Sequence, residues 1–299
     1  MVKRAQKRSK ILNLQEILIY FPNNLYNLLR QAIEQNNSLE EHLQEIRIRV
    51  NRPILLKTRY ADYLVEYNVS QTEILQILER LCENSIYAYR QQICEGFITV
   101  KGGHRIGLTG TAVSEENKVI NIKYITSLNF RIARQVLNCS NRILPQIINA
   151  ENNSIFTTLI VSPPGKGKTT MLRDAIRQIS NGIEKINFKG KTCGVVDERG
   201  EIAAMYKGIP QNDVGLRTDV IENISKSKGM KMLIRSMAPE VIACDEIGSR
   251  EDVVAISEAV SSGVKGIFTM HGKDIEDVKN NFYVYDLIEK NKIEKVIIL

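Results

Sequence analysis

The residues with the clearest chemical meaning lie between Ser162 and Thr170, in a run SPPGKGKTT that separates an apolar segment from a helical pattern. Gly167-Lys168-Thr169 completes the phosphate-loop pattern GxxxxGK(S/T) at the right spacing, and Ser162 stands where the first glycine belongs. Glycines in such a loop let successive backbone N–H groups curl around a phosphate at a helix N-terminus. The run therefore predicts a site for the phosphates of a nucleotide.

Nine residues are assigned to this site: Ser162, Pro163, Pro164, Gly165, Lys166, Gly167, Lys168, Thr169 and Thr170. We expect the Lys168 ammonium to meet the β- and γ-phosphates of ATP and the Thr169 hydroxyl to reach Mg²⁺. In the empty loop the Lys168 side chain should be exposed. The alternative is a Gly/Pro turn with an incidental lysine, which the apolar segment before it and the helix after it disfavour.

A phosphate loop also needs an acid at the end of a neighbouring strand. The segment Glu240–Ile247 fits, because its apolar run ends in Asp245-Glu246. Asp245 is expected to hold Mg²⁺ through water, and Glu246 to polarise the attacking water. An apolar run ending in two acids is a weak signal by itself, since many strands end in solvated carboxylates. The phosphate loop about 75 residues upstream makes it convincing.

Two further strand ends carry candidate groups. His271 follows the apolar run 266–270 and is a candidate to sense the γ-phosphate or to couple it to a neighbouring subunit; a hydrogen-bonded structural histidine is the alternative. Asp197 and Glu198 end another strand, and either could face the same nucleotide. The alternative there is a turn with solvated charges.

The elements that must position these residues are short apolar strands alternating with helical patterns, which predicts a parallel sheet covered on both faces. The predicted strands are 154–161, 192–196, 241–244, 265–270 and 295–299, and 250–261 is predicted as a helix. The fold class is therefore α/β in this half of the chain.

The first half is predicted as a smaller α+β domain, with an apolar helical stripe from Leu25 to Ile33, a strand at 45–50 and a hairpin partner at 54–57. Ser70 and Glu73 predict a capped helix over 70–82. Further short strands are expected at 97–100, 105–111 and 130–133. We place a basic tail at 1–10, the N-terminal domain at 11–140 and the ATPase domain at 141–299.

Composition narrows the class of protein. The 299 residues are 43% hydrophobic and 25% charged, which excludes collagen-like, disulfide-dense and broadly disordered chains. Neither a transmembrane run nor a signal peptide is recognised, so a cytosolic or peripherally attached protein is expected. Five of the net +7 charges lie in residues 1–10, a tail that could meet anionic lipid, nucleic acid or an acidic partner, or remain a solvated terminus.

With these residues placed, the sequence resembles the stage III sporulation protein AA family of spore-forming bacteria. The most specific stretches are 101–107, 208–219, 229–237 and 245–248. That family is similar, more distantly, to the hexameric motor ATPases of type II secretion and type IV pili. The resemblance implies a RecA-like phosphate-loop ATPase domain, and it departs from the motors in Ser162 and in lacking their longer C-terminal region.

The resemblance also implies roles for particular residues. Asp197-Glu198, Glu246 and His271 match, in order, the acid box, the second acid and the histidine box of the motors. Arg105 and Arg131 look like the arginines that complete a neighbouring subunit's site, where a guanidinium offsets charge on the transferring phosphoryl. A buried strand-edge ion pair is the competing reading of both arginines.

The function implied is an ATP-hydrolysing motor that energises the channel between mother cell and forespore. It would act as a homo-oligomeric ring, expected to be a hexamer, with membrane proteins of the stage III sporulation channel as partners. Its expected location is cytoplasmic and peripheral at the forespore membrane, on the mother-cell side. The alternatives are a nucleic-acid-binding ATPase using the basic tail and the Arg47/Arg49 face, and a nucleotide-dependent assembly scaffold without turnover. Nucleic acid is not expected, because the body is nearly neutral and has no interleaved aromatic–basic surface.

Overall fold

The computed structural model describes residues 15–299, which form two compact units divided between Arg134 and Gln135. We call them the N-terminal unit and the C-terminal unit. The basic tail at 1–10 lies outside the described residues. Within them, no helix combines the length and the apolar character that crossing a bilayer requires.

The observed division falls a few residues before the boundary placed at 140/141 from the sequence. The backbone N–H groups of Asn138 and Ser140 donate to the carboxylate of Asp174, at 3.0 and 2.9 Å, and the Ser140 hydroxyl donates to it at 2.7 Å. Asp174 is buried in the C-terminal unit. These bonds attach the segment to that unit, although its Asn- and Ser-rich composition is typical of a linker.

The N-terminal unit is a helix-backed antiparallel sheet. Its helices are α1 (Asn23–Glu34), α2 (Asn37–His42), α3 (Gln71–Leu81) and α4 (Arg90–Cys94). Its strands are β1 (Leu43–Arg49), β2 (Ile54–Thr58), β3 (Asp62–Val65), β4 (Phe97–Val100), β5 (His104–Glu115) and β6 (Lys118–Arg131). The strand order is β3-β2-β1-β6-β5-β4, with antiparallel neighbours throughout.

The predicted local signals of this unit are confirmed. The stripe on α1 buries Leu25 and Ile33, because residues three and four apart share a helix face. The alternation in β1 buries Ile46 and Ile48. The helix predicted from Ser70 is α3, and Ser70 forms a reciprocal capping box with Glu73.

The hairpin of β5 and β6 is longer than the sequence predicted. The expected strands at 105–111 and 130–133 are parts of strands that run from His104 to Glu115 and from Lys118 to Arg131. The two strands are joined by Glu116 and Asn117, both with positive φ, in the two-residue hairpin geometry that matches strand twist. The expected strand end at residue 133 is wrong, since β6 ends at Arg131.

The C-terminal unit is an α/β layer structure. Its helices are α5 (Leu144–Ile147), α6 (Lys168–Asn181), α7 (Lys226–Met237), α8 (Arg250–Ser261), α9 (Ile275–Asn280) and α10 (Phe282–Glu289). Its main sheet contains β9 (Thr158–Ser162), β12 (Cys193–Asp197), β13 (Thr218–Glu222), β14 (Val241–Cys244), β15 (Lys265–His271) and β16 (Lys295–Ile298). Two small hairpins pair β7 (Ile148–Asn149) with β8 (Ser154–Ile155) and β10 (Gly182–Ile183) with β11 (Phe188–Lys189).

The main sheet is parallel throughout, in the order β13-β12-β14-β15-β9-β16, which confirms the predicted α/β class. Its central strands β9, β12 and β14 are buried at every position. An apolar core lies on each face of the sheet. Such strands read as continuous apolar runs because helices cover both faces.

One predicted strand is divided in the structure. The continuous apolar run 154–161 forms β8, which pairs antiparallel with β7, and then β9, which enters the parallel sheet. Between them the Phe156 N–H donates to the Ile147 carbonyl at 2.8 Å. Hydrophobicity alone does not separate the two strands, because the residues on both sides of the break, Ile155 and Thr158, are buried.

Candidate nucleotide site at the carboxyl edge of the parallel sheet

The sheet order brings the predicted chemical groups to one edge. Parallel strands end at the same side, so β12, β14, β15 and β9, which are consecutive in the sheet, deliver their last residues as neighbours. In this order they are Asp197, Asp245 directly after β14, His271 and Ser162. His271 and Ser162 are register partners. The carboxyl edge at a change in strand order is where open α/β sheets bind ligands.

The phosphate loop has an open, glycine-shaped backbone. Gly165 and Gly167 have φ values of 74° and 87°, and an added Cβ at either would meet no atom within 4 Å. Residues 164–167 are exposed, Pro163 is half-buried, and Ser162 is fully buried at the end of β9. Gly167 caps α6 without any side-chain hydrogen bond to the first helical turn. The amides of that turn are therefore available to an anion.

Lys168 is buried in the ligand-free protein, with 5% of its surface exposed. Its Nζ donates to the carbonyls of Ser162 at 2.9 Å and Pro163 at 3.2 Å, and lies 2.8 Å from His271 Nδ1. The expectation that this side chain is exposed is wrong, because the loop carbonyls and His271 replace its hydration. Burial lowers the pKa of the ammonium, and the charge of Glu246 opposes the shift.

His271 links Lys168 to Glu246. Its Nε2 lies 2.6 Å from Glu246 Oε1, and Arg199 Nη1 lies 2.7 Å from Glu246 Oε2. An ammonium only donates and an ionised carboxylate only accepts, so this pattern requires a neutral imidazole with its proton on Nε2. Lys168, His271, Glu246 and Arg199 form a continuous chain of polar contacts, which we call the Lys168–Arg199 relay.

Glu246 is held in an unusual backbone conformation. Its φ is 48°, in the left-handed region that non-glycine residues seldom adopt. The Glu246 N–H donates to Thr269 Oγ1 at 2.9 Å, and the Ile247 N–H donates to the Thr269 carbonyl at 2.8 Å. These two bonds to β15 fix the turn after β14 and direct the Glu246 carboxylate toward His271. Strained backbone of this kind concentrates at functional sites.

Asp245 is a buried carboxylate with an oxygen that accepts no hydrogen bond from residues 15–299. It is 2% exposed, and its Oδ2 has no hydrogen-bond partner among the described residues. Burial raises its pKa to about 6, and the negative charges of Asp197, Glu201 and Glu246 add to the shift. A cation beside Oδ2 would remove both penalties, since buried charges are stable when paired or metal-bound.

Asp197 is buried as well, but its oxygens are fully engaged. They accept bonds of 2.8 to 3.1 Å from the backbone N–H groups of Glu201, Ile202 and Ala203. This carboxylate therefore organises the turn that follows β12. Glu198, which the sequence predicted as a candidate to face the nucleotide, forms an ion pair with the buried ammonium of Lys226.

The two arginines assigned to the site lie in the N-terminal unit. Arg105 on β5 and Arg131 on β6 are register partners, and Glu45 on β1 lies opposite Arg131. The Arg105 guanidinium stacks over the Phe97 ring at 4.4 Å. Arg131 is exposed. Burial raises the pKa of Glu45, but the hydrogen bond and charge of Arg47, with smaller contributions from Lys57 and Arg131, hold it below its usual value. The side chains stand on a sheet face, so the reading as a buried ion pair does not describe Arg131.

The residues present fit a magnesium nucleotide. The glycine cradle and the uncapped start of α6 suit an anion, and the unpartnered Oδ2 of Asp245 suits a divalent cation. Thr169 and Thr170 are half-buried on the first turn of α6. The chain thus supplies anion and cation groups at the same edge of the sheet.

Sequence reasoning missed the residues that hold the site in place. Arg199 contacts Glu246 from the turn after β12, Lys226 contacts Glu198 from the start of α7, and Thr269 contacts Glu246 from β15. Arg199 is next to a recognised acid pair, so its proximity was a usable signal. Lys226 and Thr269 had no such signal, because only the folded sheet brings them to the acids.

Comparison with known proteins agrees with this architecture. The chain is 41% identical over 265 residues to stage III sporulation protein AA of Bacillus subtilis (strain 168), which covers 89% of this chain and 84% of that protein. The ATPase DotB of Legionella pneumophila has a TM-score of 0.57 at 15% identity, covering 87% of this chain and 69% of its own. The pilus retraction motor PilT with bound ADP has a TM-score of 0.55 at 14% identity, covering 84% and 69%.

The two structural likenesses, at such low identity, show a shared fold: a RecA-like phosphate-loop ATPase fold, as predicted. The family described as Sporulation stage III, protein AA matches residues 16–299, which is nearly all of the described chain. The resemblance noted in the sequence is therefore confirmed, and the chain belongs to the sporulation stage III protein AA family.

Proposed function

We propose that the protein is an ATP-hydrolysing motor of the secretion-ATPase type that energises the channel complex between mother cell and forespore during sporulation. The observation that carries the proposal is the meeting of Lys168, His271, Glu246 and the unpartnered Asp245 at one sheet edge. Phosphoryl transfer to water needs a loop that binds the phosphates, a ligand for the cation and an acid that orients the water. Here that acid contacts a histidine.

In this proposal the loop amides and Lys168 bind the phosphates, and Thr169 and Asp245 hold Mg²⁺. When bound, Mg²⁺ neutralises charge on the β- and γ-phosphates. Lys168 must leave the Ser162 and Pro163 carbonyls and His271 to reach a phosphate. Its departure frees His271 Nδ1, so the Lys168–Arg199 relay reports occupancy of the loop to Glu246.

Glu246 is proposed as the acid that orients the attacking water and takes its proton. Its two oxygens contact His271 Nε2 and Arg199 Nη1. Glu198 is a weaker candidate, because a buried ammonium already occupies its carboxylate. Arg105 and Arg131 are proposed to act on the nucleotide of a neighbouring copy, which makes the active form a homo-oligomeric ring, expected to be a hexamer.

The stage III channel proteins are the proposed partners, with the protein on the mother-cell face of the forespore membrane. The support is family membership together with the motor-like fold. Nucleic acid is not proposed as a partner. A nucleotide-dependent scaffold without turnover differs from the motor in one property, the hydrolysis of ATP.

The test is the Mg²⁺-dependent ATPase rate of the purified protein as a function of its concentration. A site completed by a neighbouring subunit predicts specific activity that rises with concentration until assembly saturates. Lys168→Ala should abolish turnover, and Lys185→Ala, which removes an exposed lysine of the same unit, should leave it unchanged. Full turnover in Lys168→Ala contradicts the phosphate-loop assignment, and absence of turnover in assembled wild type favours the scaffold.

A further inference from the structure

An unassigned basic groove lies between α7 and α8 of the C-terminal unit. Ser227, Lys228 and Lys231 line it from the first two turns of α7. Arg250, Glu251 and Val254 line it from the first two turns of α8, and its volume is about 320 Å³. We call it the α7–α8 groove.

The groove has cations without partners. Lys228 and Arg250 form no hydrogen bond or ion pair with any residue in the described range 15–299, and Lys231 has one exposed partner, Glu258, at 3.0 Å. The α7 helix has no acidic residue in its first turn and no side-chain cap. Cations are unfavourable at the positive end of a helix dipole, so an anion in the groove would relieve this arrangement.

The N-terminal unit carries an element of complementary charge, the end of the β5–β6 hairpin. Beyond Leu108 on β5 and before Thr126 on β6, the backbones of the two strands pair only with each other among the described residues. From Thr111 to Lys123 most side chains are exposed; the stretch is supported by the half-buried Ile122, which packs against the core, and by a bond from Arg90 to the Ile120 carbonyl at 3.4 Å. A two-stranded hairpin with both edges open is marginal in water unless something packs against it.

The direction of this hairpin is fixed by its own backbone. Gly110 lies at a register shift, where a Cβ would come within 2.5 Å of the Lys123 carbonyl and 2.8 Å of the Tyr124 carbonyl. Tyr124 has a φ of 47° at this bulge. Bulges re-aim strands. A projecting hairpin whose bend requires a glycine has the properties of a docking element.

The charges at the hairpin tip are opposite in sign to those of the groove. The tip carries Glu115 and Glu116, followed by Asn117 and Lys118, with Glu115 directly opposite Lys118. The groove carries three cations and one carboxylate, Glu251. Two tip acids can therefore meet groove cations while the single tip lysine meets Glu251. Val119 and Val254, 39% and 47% exposed, offer apolar contact beside the charges.

We propose that the tip of the β5–β6 hairpin of one copy of this chain docks in the α7–α8 groove of the next copy. The inference rests on the proposed ring assembly and adds a specific contact to it. A head-to-tail contact of this kind joins different surfaces of identical subunits, which is the type of interface that closes a ring. Opposite charges at such a contact set its register and its association rate.

The test reverses the charges on each side. The groove variant carries Lys228→Glu and Lys231→Glu, and the tip variant carries Glu115→Lys and Glu116→Lys. Sedimentation velocity over a concentration series gives the half-assembly concentration. The half-assembly concentration of each variant alone should be at least about tenfold higher than that of wild type. A tenfold change corresponds to the loss of about one favourable charge pair. Lys185→Glu and Glu79→Lys, exposed residues elsewhere, are the matched controls and should assemble like wild type.

Mixing the two variants is the decisive arm. In an alternating assembly each reversed groove faces a reversed tip and each native groove faces a native tip, so assembly and ATPase activity should return. Recovery on mixing excludes a contact within one chain, which mixing cannot repair. Unchanged assembly of either variant, or failure of a folded mixture to recover, overturns the docking contact. ATPase activity that persists in those variants shows that the motor function survives its loss.

Discussion

Two Asp-Glu pairs end adjacent strands of the parallel sheet, and the sequence gives them the same appearance. Asp197 is the last residue of β12 and Glu198 follows it, whereas Asp245 and Glu246 both follow β14; both aspartates are almost fully buried. Their surroundings differ completely. Asp197 accepts bonds from three backbone N–H groups of its own turn, whereas one oxygen of Asp245 has no partner among the described residues.

The glutamates differ in the same direction. Glu198 is held by the buried Lys226, while Glu246 contacts His271 and Arg199 and belongs to the relay that begins at Lys168. A buried carboxylate whose oxygens all accept hydrogen bonds from its own turn stabilises that turn. A buried acid with an open oxygen beside an anion loop is suited to a cation. We therefore infer a structural role for Asp197-Glu198 and propose a catalytic and cation-binding role for Asp245-Glu246.

The largest effect expected from this comparison is on turnover. Glu246→Gln keeps the size of the side chain but cannot take a proton from water, so the ATPase rate should fall by about 100-fold or more while ATP binding persists. Glu198→Gln should change the rate only a few-fold. Steady-state hydrolysis and equilibrium nucleotide binding measured on both variants check this. The reverse ranking would move the base to Glu198 and require its release from Lys226.

The sequence predicted the sheet better than its edges. Helix α8 and strand β14 were predicted at their observed bounds, because continuous apolar strands and capped amphipathic helices leave strong patterns. Strand β13, Thr218–Glu222, was missed because it lies at the sheet edge, is only half-buried and carries polar residues. The distal β5–β6 hairpin was missed because its β5 half is made of small and polar residues and its β6 half has only a short alternation at Ile120 and Ile122.

The site was predicted as a set of residue types, without its connections. The spacing of Gly167-Lys168-Thr169 and the acids at strand ends are local signals. That Lys168 contacts His271 across 103 positions, or that Lys226 holds Glu198, depends on strand order. A local pattern therefore cannot rank the two Asp-Glu pairs, whereas their hydrogen-bond partners do.

The second effect is on stability, and it should be opposite for the two aspartates. Asp197→Asn puts an amide NH₂ among backbone donors and removes charge-assisted bonds, so we expect a loss of about 3–4 kcal/mol in the free energy of unfolding. Asp245→Asn removes a buried charge near Asp197 and Glu201 and should be neutral or stabilising without nucleotide. Urea unfolding of both variants measures this. An equal loss in both would contradict the structural distinction.

A somewhat smaller effect concerns pH. The pKa of Asp245 is about 6 in the folded protein, against about 3.9 for an unfolded aspartate. Between these values the unfolded state releases its proton while the folded state keeps it, so this group lowers stability as pH rises from about 4 to 6. Above pH 6 and without Mg²⁺, this group lowers the free energy of unfolding by about 2–3 kcal/mol.

The measurement is the difference in unfolding free energy between wild type and Asp245→Asn at several pH values, which cancels the other carboxylates. Asp174 is the internal contrast: hydrogen bonds from Ser140, Arg177 and Asn138 outweigh its burial and hold its pKa at about 2, so its contribution is lost only as pH falls below about 4. A difference curve that is flat between pH 4 and 6 would refute the raised pKa of Asp245.

The smallest signal is the partial recovery of activity in a mixture, and it extends the comparison beyond one chain. The proposed acid, Glu246, lies in the C-terminal unit, and the proposed arginine, Arg131, lies exposed on β6 of the N-terminal unit. If Arg131 serves a neighbour's nucleotide, Glu246→Gln and Arg131→Ala should each be nearly inactive alone. Mixed subunits would place some intact acids against intact arginines, and activity should rise several-fold above either variant.

Sedimentation must first show that the variants co-assemble. Co-assembly without any recovery would mean that Arg131 does not act across the interface, whereas full activity in a monomer would remove the need for a neighbouring arginine altogether.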